Sequence, residues 1–485
     1  MSLSVTLSSA LSGLQANSRA AELVSTNIAN ALTDGYGQRE LSLSARSLGG
    51  TGSGVRINGV LRHTDQVLLS DRRIAEANAA AEGLRVAYLT KMERVIGTPE
   101  TASSLGQLVS SFDSALVAAA SRPDSEARLS DVLTTAQALA SQLNRSSATI
   151  QEQRALADDR IAEDVKNLNE TLAKVADLNA RILKQVSADR DASPLMDQRQ
   201  QLIDRIAGIV PIKEIARENG QIALVTAGGA VLLDGKPAVL GFVPVGTVTA
   251  DMTVDSGALS GLTMNGKPVT FRDGTGKMDG GTLATSFNLR DEIAPATQAQ
   301  LDAVARDLIE RLADSTVDPT LSTGMAGLFT DAGAAFDATM EVGLAGRLSI
   351  NSAADPAQGG ALWRLRDGIG ALTEGTPGYA GLFDAMEAAL VERRPTPSGG
   401  FEAGSRSFSG LVSDLLSEVS SARVGAQATQ SYAAAKFESL RNDELSQGVD
   451  SDQQMQQLML IEKAYAANAK VISAVDDMIQ MLLEM

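Results

Sequence analysis

Few residues in this sequence can support acid–base, nucleophilic or metal chemistry. His63 is the only histidine, and the chain contains no cysteine. A Ser-His-Asp triad could therefore be built only around His63, and a metal site would consist almost entirely of carboxylates. The local sequence RHTDQ is more typical of the polar start of a helix, with Thr64 as the capping residue. We predict no catalytic residue, no metal site and no cofactor.

Two glycine-rich runs could in principle bind a phosphate, GGTGSG at 49–54 and DGTGKMDGG at 273–281. Neither contains the Lys-Ser or Lys-Thr pair of a phosphate-binding loop, so both are predicted to be turns. Four acids between residues 251 and 279 leave an enzymatic alternative open, because a secreted enzyme that cuts cell-wall polymer needs a pair of carboxylates. These acids are Asp251, Asp255, Asp273 and Asp279. Acids in glycine-rich turns are usually solvated, so this alternative ranks below a non-enzymatic role.

The charge of the chain limits its partners. Its 485 residues include 59 acidic and 42 basic side chains, which gives a formal charge of −17 at pH 7. Such a chain repels polyanions, so we expect neither nucleic acid nor an anionic membrane as a partner. No apolar run is long enough to cross a bilayer, and the first charged residue is Arg19. Neither a membrane span nor a signal peptide is predicted, so export would need another route.

Both ends of the chain carry a seven-residue repeat of apolar residues, the pattern of helices that pair along a narrow seam. The predicted seam residues are Leu7, Leu14, Ala21, Val24, Ile28, Leu458, Ile461, Tyr465, Asn468, Ile472, Val475, Ile479 and Leu482. Each stripe also includes one asparagine, Asn17 or Asn468, and a buried asparagine can fix the register of a pair at some cost in stability. Two matched stripes favour a terminal coiled-coil pair over two amphipathic helices that pack separately.

The N-terminal stripe is serine-rich and therefore weak as an isolated helix. We expect both ends to be disordered in the free chain and to fold on assembly. The stretch STNIANALTDGYGQRE, residues 25–40, should end the first helix, because Asp34-Gly35 and Gly37 supply turn conformations.

The interior predicts a helical body with a β excursion. Apolar residues keep helical spacing from about Leu129 to Val186, and Ser193-Pro194 is predicted to cap and open another helix. After Pro211 the pattern changes to short β-branched runs, with hairpin signals at Asp234-Gly235 and Asn265-Gly266. Helical patterns return near residue 294 and again near residue 408.

The predicted fold is mainly α with an inserted β-rich domain. It comprises terminal helices that form a coiled-coil pair, a long helical middle domain and an outer β domain. The expected parts are an N-terminal coiled-coil helix at 1–35, the first helical part at 36–205, the β-rich domain at 206–290, the returning helical part at 291–450 and a C-terminal coiled-coil helix at 451–485. The returning part includes a mixed segment, 317–400, whose role the sequence leaves open.

Several segments resemble the axial proteins of the bacterial flagellum. NIANALTDGYGQRELSLSA is similar to the N-terminal signature of rod, hook and hook-associated proteins, with the matching positions Asn27, Ile28, Asn30, Gly35, Tyr36 and Arg39. The interior segments RPDSEARLSDVLTTAQALASQLN and PLMDQRQQLIDRIAGIVPIKE, with the C-terminal segment from Arg441, resemble the hook-associated protein 1 family in order. Two places depart from its pattern: Gly37-Gln38, where a threonine is usual, and Gln453-Gln454, where acids are common.

The resemblance implies a structural, non-enzymatic subunit. It would be exported by the flagellar type III apparatus without a cleaved signal peptide and would assemble as a ring at the hook tip, outside the cell. The implied partners are further copies of the chain, the hook protein, a second hook-associated junction protein, and an export chaperone on the C-terminal helix. Another axial subunit, hook or filament protein, is the nearest alternative, and the wall-acting enzyme is a more distant one.

Overall fold

The fold is described from a computed structural model, for residues 3–33, 35–48, 51–271 and 276–484. Some predicted features fall partly outside these ranges. They are Asp34 in the turn after the first helix, Gly49 and Gly50 in the first glycine run, and Asp273, Gly274 and Thr275 in the second.

The chain is mainly helical, with short strands in the middle, as the sequence predicted. The helices are α1 (Leu3–Ala29), α2 (Gln66–Ile96), α3 (Leu105–Ser121), α4 (Glu126–Val186), α5 (Ser193–Ala207), α6 (Gly281–Asn288), α7 (Ala294–Leu312), α8 (Leu344–Arg347), α9 (Arg364–Asp367), α10 (Gly381–Val391), α11 (Phe408–Ser446) and α12 (Ser451–Glu484). The strands are β1 (Gln38–Leu48), β2 (Thr51–His63), β3 (Ile212–Ala216), β4 (Ile222–Thr226), β5 (Val231–Asp234), β6 (Lys236–Pro237), β7 (Leu240–Gly241), β8 (Thr263–Met264), β9 (Lys267–Pro268), β10 (Phe329–Asp331), β11 (Leu348–Ile350), β12 (Arg394–Pro395) and β13 (Ser405–Arg406).

Helix α4 is the longest helix described and contributes to both hydrophobic cores. It runs for 61 residues without a glycine or proline to interrupt it, so at 1.5 Å per residue it is about 90 Å long. Its buried apolar residues from Leu129 to Ala157 face one hydrophobic core, and those from Ile161 to Val175 face a second core. The two cores therefore share one rigid wall.

The first core joins α2, α3, α7, α10 and α11 to the first half of α4. Helices α2 and α11 run antiparallel. Arg72, near the start of α2, pairs with Glu444 near the end of α11, and Glu93, near the end of α2, pairs with Arg423. The mixed segment 317–400 packs into the same core. Phe329 of β10 meets Phe112 of α3 edge to face, with ring centroids 5.8 Å apart.

The β insertion packs on the second half of α4. It contains a sheet of order β3-β4-β5-β6 and a smaller one of order β7-β8-β9. Both predicted hairpins are present, with left-handed backbone at Gly235 in the first and at Asn265 and Gly266 in the second. A buried ion pair fastens this part to α4. Arg290, in a π-helical turn (Leu289–Ile293), contacts Asp158 at 2.6 Å.

Two predicted helix caps lie one residue away from their expected positions. The cap of α2 is Asp65 rather than Thr64, because the Asp65 carboxylate accepts from the backbone N–H groups of Val67 and Leu68. A carboxylate is also the better cap for the positive end of the helix dipole. Ser193 is the first residue of α5, and the cap position is Ala192. Asp191 instead accepts from the Ser193 N–H.

The predicted helical part at 36–205 begins with a β ribbon that we did not anticipate. Strands β1 and β2 pair antiparallel from Gln38–His63 to Leu48–Thr51. The ribbon lies along α1, where the Ser12 hydroxyl accepts from the Val55 N–H at 3.1 Å. Two-stranded ribbons are marginal alone, so the support of α1 is part of why this one forms.

Candidate functional site at the terminal helices

The two terminal helices pack against each other and run antiparallel. Gly13 of α1 lies against the Asn468 side chain of α12, and Asn27 hydrogen-bonds Gln454. Moving forward along α1 therefore means moving backward along α12. The two ends of the chain, although far apart in sequence, therefore form one antiparallel helix pair.

The predicted seam residues of α12 differ in how far the single chain covers them. Val475 is buried, and Leu458, Ile461, Asn468 and Ile472 are half-buried. Tyr465, Ile479 and Leu482 are exposed, by 45%, 37% and 60%. The residues nearest α1 thus follow the predicted seven-residue spacing, while the C-terminal end of the stripe lies open.

The predicted seam of α1 is less regular. Val24 is buried, Leu14, Ala21 and Ile28 are half-buried, and Leu7 is exposed. The other buried residues of this helix are Ala10, Ala16, Leu23 and Asn27. Two of these are alanines, and Gly13 leaves space for the Asn468 side chain, so α12 can approach α1 closely at this level.

Helix α12 also exposes large apolar side chains outside the seam. These are Met455, Met459, Leu460, Val471, Met478, Met481 and Leu483. A helix with this much apolar surface in contact with water is typical of a binding surface rather than of a finished monomer.

The signature residue Asn27 is the centre of a polar cluster at the base of the pair. Its Oδ1 accepts from the Tyr36 hydroxyl at 2.8 Å and from the Arg39 N–H at 3.0 Å. Its Nδ2 donates to the Arg39 carbonyl at 2.9 Å and to Gln454 Oε1 at 3.0 Å. Asn27 and Gln454 are both 1% exposed. One side chain thus joins α1, the ribbon and α12.

Tyr36 and Arg39 are held by more than their bonds to Asn27. The Arg39 guanidinium lies over the Tyr36 ring, 4.9 Å from its centroid. Burial raises the pKa of the Tyr36 phenol above its ordinary value, so the hydroxyl remains a donor at neutral pH. Such a donor suits the amide oxygen of Asn27, which can only accept.

Asp197 of α5 connects this cluster to the helical body. Its carboxylate contacts Arg39 at 2.5 Å and Arg62 at 2.7 Å, and it also accepts from the Gly37 N–H. Arg62 donates further to Gln200 and to the Gly35 carbonyl. Two arginines and a backbone donor surround one carboxylate, so the ribbon is tied to α5 by charge as well as by hydrogen bonds.

Gly35 and Gly37 each lie where a side chain would meet a neighbouring residue. Gly35 has left-handed backbone, with φ of 74°, and a side chain there would meet Gln201. A Cβ on Gly37 would lie 2.6 Å from Arg62 Nε. The departure from the usual threonine at this place thus accompanies an arginine that occupies the space.

The remaining signature residues have local roles. Asn30 donates to the Thr26 carbonyl in the last turn of α1 and accepts from Thr33, and so finishes that helix. Ile28 is half-buried beside Asn27.

Helix α5 distributes its polar residues among different parts of the molecule. Asp197 and Gln200 hold the ribbon, as described. Arg199 donates to Asn179 of α4 and to the Gly220 carbonyl in the β insertion. Asp204 pairs with Arg72 and Arg73 of α2. No role was predicted from the sequence for Asp197, Gln200, Arg62 or Gln454.

The residues considered for chemistry lie elsewhere. His63 is exposed and pairs with Glu40 at 3.1 Å. Asp251 accepts from the Thr249 hydroxyl, which lowers the pKa of its carboxyl, and Asp279 accepts from the Gly276 N–H. Within the described ranges, no group of acids and histidine is arranged to hold a metal ion. None of the described helices is both long and apolar enough to cross a bilayer.

Known proteins resemble both the body and the C-terminal helix. A family model described as the flagellar hook-associated protein FlgK helical domain matches residues 89–316. A second, described as flagellar basal body rod FlgEFG protein C-terminal, matches residues 446–485, which contain α12.

Individual relatives agree with these matches. Flagellar hook-associated protein 1 of Salmonella typhimurium is 27% identical over 243 residues, 49% of this chain and 44% of the relative. The Bacillus subtilis protein of the same name is 27% identical over 240 residues, 47% of each. The flagellar hook junction protein FlgK from Burkholderia pseudomallei has a TM-score of 0.43 and 17% identity, covering 54% of this chain and 47% of that one. The match spans less than half the length of these two curated relatives.

Proposed function

Since this chain belongs to the family of flagellar hook-associated protein 1, we propose that it is a structural subunit at the hook tip that joins hook to filament. The family consists of structural flagellar proteins, and the C-terminal match extends to axial rod and hook proteins. A flagellar location follows from this relationship, and the junction is the place within it that the relatives' name favours.

The observation that carries the proposal is the open apolar surface of the terminal pair. Tyr465, Ile479 and Leu482 belong to the seven-residue stripe of α12 but remain exposed in the single chain. Each large apolar side chain contributes about 1.5–3 kcal/mol when it is fully buried. If these side chains are buried between neighbouring copies, many modest contacts repeated around a ring together stabilise the assembly.

In this proposal the terminal pairs of neighbouring copies pack side by side into the inner wall of the junction. The helical body forms the next shell, and the β insertion lies outside it. Further copies of the chain, the hook protein and a second hook-associated junction protein are the partners. The function is mechanical, because the subunit connects two different tubes and transmits load between them.

We also propose export through the flagellar type III apparatus, followed by folding outside the cell at the hook tip. The weak N-terminal helix and the exposed stripe of α12 support this route, because both gain their packing on assembly. We propose that the two ends are unfolded during export and that they form the terminal pair once the chain has folded outside the cell. Circular dichroism and hydrogen exchange on the purified monomer measure the helix content and protection of this pair directly.

The test of the junction is deletion of the gene in the bacterium that encodes the chain. We expect hooks without filaments in electron micrographs, together with filament protein lost to the medium. Rods without hooks would move the protein to the hook class. Normal, motile flagella would overturn the flagellar function.

The proposed export chaperone has a separate test. A helical chaperone would cover the apolar stripe of α12, so a chain lacking residues 458–485 should bind it far more weakly than the full chain. Equal affinities, measured by calorimetry, would remove the chaperone from the proposal while leaving the junction role intact.

A further inference from the structure

We infer that two side-chain amides of α12, the buried Gln454 and the half-buried Asn468, fix the register in which α12 pairs with α1. The inference deepens the proposed function, because a ring of identical copies needs one register. Its test measures pairing within the single chain and does not depend on assembly. If the deletion experiment disproved the junction role, the register result would still be valid. If the register test failed, the junction role would be unaffected.

The first amide contact is between Asn27 and Gln454. The backbone N–H and carbonyl of Arg39 bind the Asn27 oxygen and nitrogen, so the orientation of this amide is fixed by the ribbon. Its second N–H then points at α12 and donates to Gln454 Oε1. Because Asn27 is 1% exposed, water cannot replace the acceptor if α12 slides.

The second contact is between Asn468 and Gly13. A Cβ on Gly13 would lie 2.8 Å from Asn468 Nδ2, so the missing side chain of α1 leaves the space that the amide occupies. Asn468 lies two heptads after Gln454, and Gly13 lies two heptads before Asn27. Equal spacing on both helices means that one register satisfies both contacts.

A slip of one heptad breaks both contacts in either direction. If α12 moves so that Ile461 faces Asn27, the fixed N–H of Asn27 meets an apolar side chain and Val475 enters the space beside Gly13. In the opposite slip, Asn27 passes the start of α12 at Ser451, and Gln454 faces Ala20. The apolar stripe alone does not distinguish these states, because its spacing repeats every seven residues.

The chain offers a direct readout of register because it contains no cysteine. Ala16 lies three residues after Gly13, and Tyr465 lies three before Asn468, so the two residues lie at the same level of the antiparallel pair. A disulfide between Ala16→Cys and Tyr465→Cys is therefore expected in the observed register. Ala16→Cys with Ile472→Cys, or with Leu458→Cys, reports a slip of one heptad in each direction. One heptad is about 10.5 Å along a helix, beyond the tolerance of a disulfide.

With both amides present, we expect disulfide only in the Ala16/Tyr465 pair of the full-length monomer. Gln454→Leu together with Asn468→Leu should reduce that yield at least about two-fold and produce disulfide in a slipped pair. Gln454→Glu keeps an acceptor for Asn27, so it should retain the original pattern. Gln453→Leu with Gln457→Leu, at exposed positions beside the first amide, is the matched control.

An unchanged pattern in the double-leucine chain would overturn the inference, because another feature, such as the connection at 447–450, would then set the register. Disulfide in slipped pairs of the unmodified chain would overturn it as well. Circular dichroism establishes that the double variant keeps its helix content. If it does not, the single change Gln454→Leu replaces it, with the same expected direction.

Discussion

Asp197 connects the ribbon near the start of the chain to the helical body. Its two carboxylate oxygens face Arg39, Arg62 and the Gly37 N–H, while its own helix belongs to the body. The side chain is only 10% exposed, so removal of its charge would leave two arginines close together with little water to screen them.

Asp197→Asn should therefore loosen the ribbon and α1 from α5. Breaking a largely buried ion pair by removing one partner costs about 3 kcal/mol or more. Hydrogen exchange followed by mass spectrometry should show faster exchange in β1 and β2, with α4 unchanged. Asp177→Asn is the control, since Asp177 is 69% exposed and its contact with Arg181 is long, at 3.8 Å. Equal exchange in both variants would show that Asp197 does not hold the ribbon.

The buried carboxyl of Asp302 should make the stability of the body depend on pH. Burial raises the pKa of its carboxyl from 3.8 to about 6, although the N–H groups of Gly343 and Ala345 and the Gln298 amide all donate to it. Between these two values the folded chain holds a proton that the unfolded chain has released. The contribution of Asp302 to the free energy of unfolding should therefore rise as pH falls, by up to about 1.4 kcal/mol per unit.

Denaturant unfolding of the original chain and of Asp302→Asn, between pH 4 and 7, isolates this contribution. The stability of the original chain relative to the variant should increase as pH falls through about 6, because the amide has no proton to bind. A difference that stays constant across this range would contradict the assignment.

At the residue scale, the sequence could indicate one half of the polar cluster. The signature pattern points to Asn27, Tyr36 and Arg39, which lie close together in the chain. Their partners Asp197 and Gln454 lie far away in sequence, and Asn27 and Gln454 are 427 residues apart. No local pattern marks a carboxylate in an amphipathic helix as the partner of arginines in a ribbon.

At the scale of elements, α12 is covered by α1 over only part of its length. Leu458, Ile472 and Val475 are buried or half-buried in the single chain, whereas Met478 and Leu482, nearer the end of the helix, are exposed. Changes in these two parts of α12 should thus have different consequences. In the proposed assembly, the first part pairs within the subunit and the second contacts other subunits.

Ile472→Asp should weaken the terminal pair and abolish junction assembly, while the body stays folded and soluble. Ile472 is half-buried, so the change loses about 2 kcal/mol of apolar contact and adds a charge beside α1. Hydrogen exchange in α1 and swimming in soft agar are the measurements. Ser473→Asp, at the adjacent exposed position, is the matched control. Normal filament growth in the Ile472→Asp strain would refute the role of this stripe.

The ribbon shows where prediction of elements failed and why. Leu41, Leu43 and Ala45 alternate with polar residues, as do Val55 and Ile57, and this period of two is the signal of a half-buried strand. That signal was not recognised, because the stretch lies between strong helical patterns and is interrupted by the glycines at the tip. The long helices and both β hairpins were predictable, because their apolar periods and turn residues are local.

At the scale of the whole molecule, the terminal pair and the body are built separately. Among the described residues, the first core extends from Tyr88 to Ala426 and the second from Ile161 to Phe287, and neither includes a residue of α1 or α12. The body therefore has its own hydrophobic stabilisation, and the ends add an attachment to it.

A chain restricted to residues 66–446 should accordingly fold without the ends. We expect a cooperative thermal transition within a few degrees of that of the full chain, because both cores are retained. Differential scanning calorimetry of the two chains makes the comparison. Loss of the transition in the short chain would mean that the terminal pair stabilises the body.

The junction function is tested most directly by changes to the exposed surface of the terminal pair in the living cell. The native gene is replaced by one carrying Met478→Asp and Leu482→Asp, with Ser473→Asp as the control, and flagella are imaged while filament protein in the medium is measured. We expect the double variant to give a folded, exported protein, hooks without filaments and filament protein in the medium, with normal flagella in the control. Normal filaments on the hooks of the double variant would contradict the claim that this surface joins the subunits.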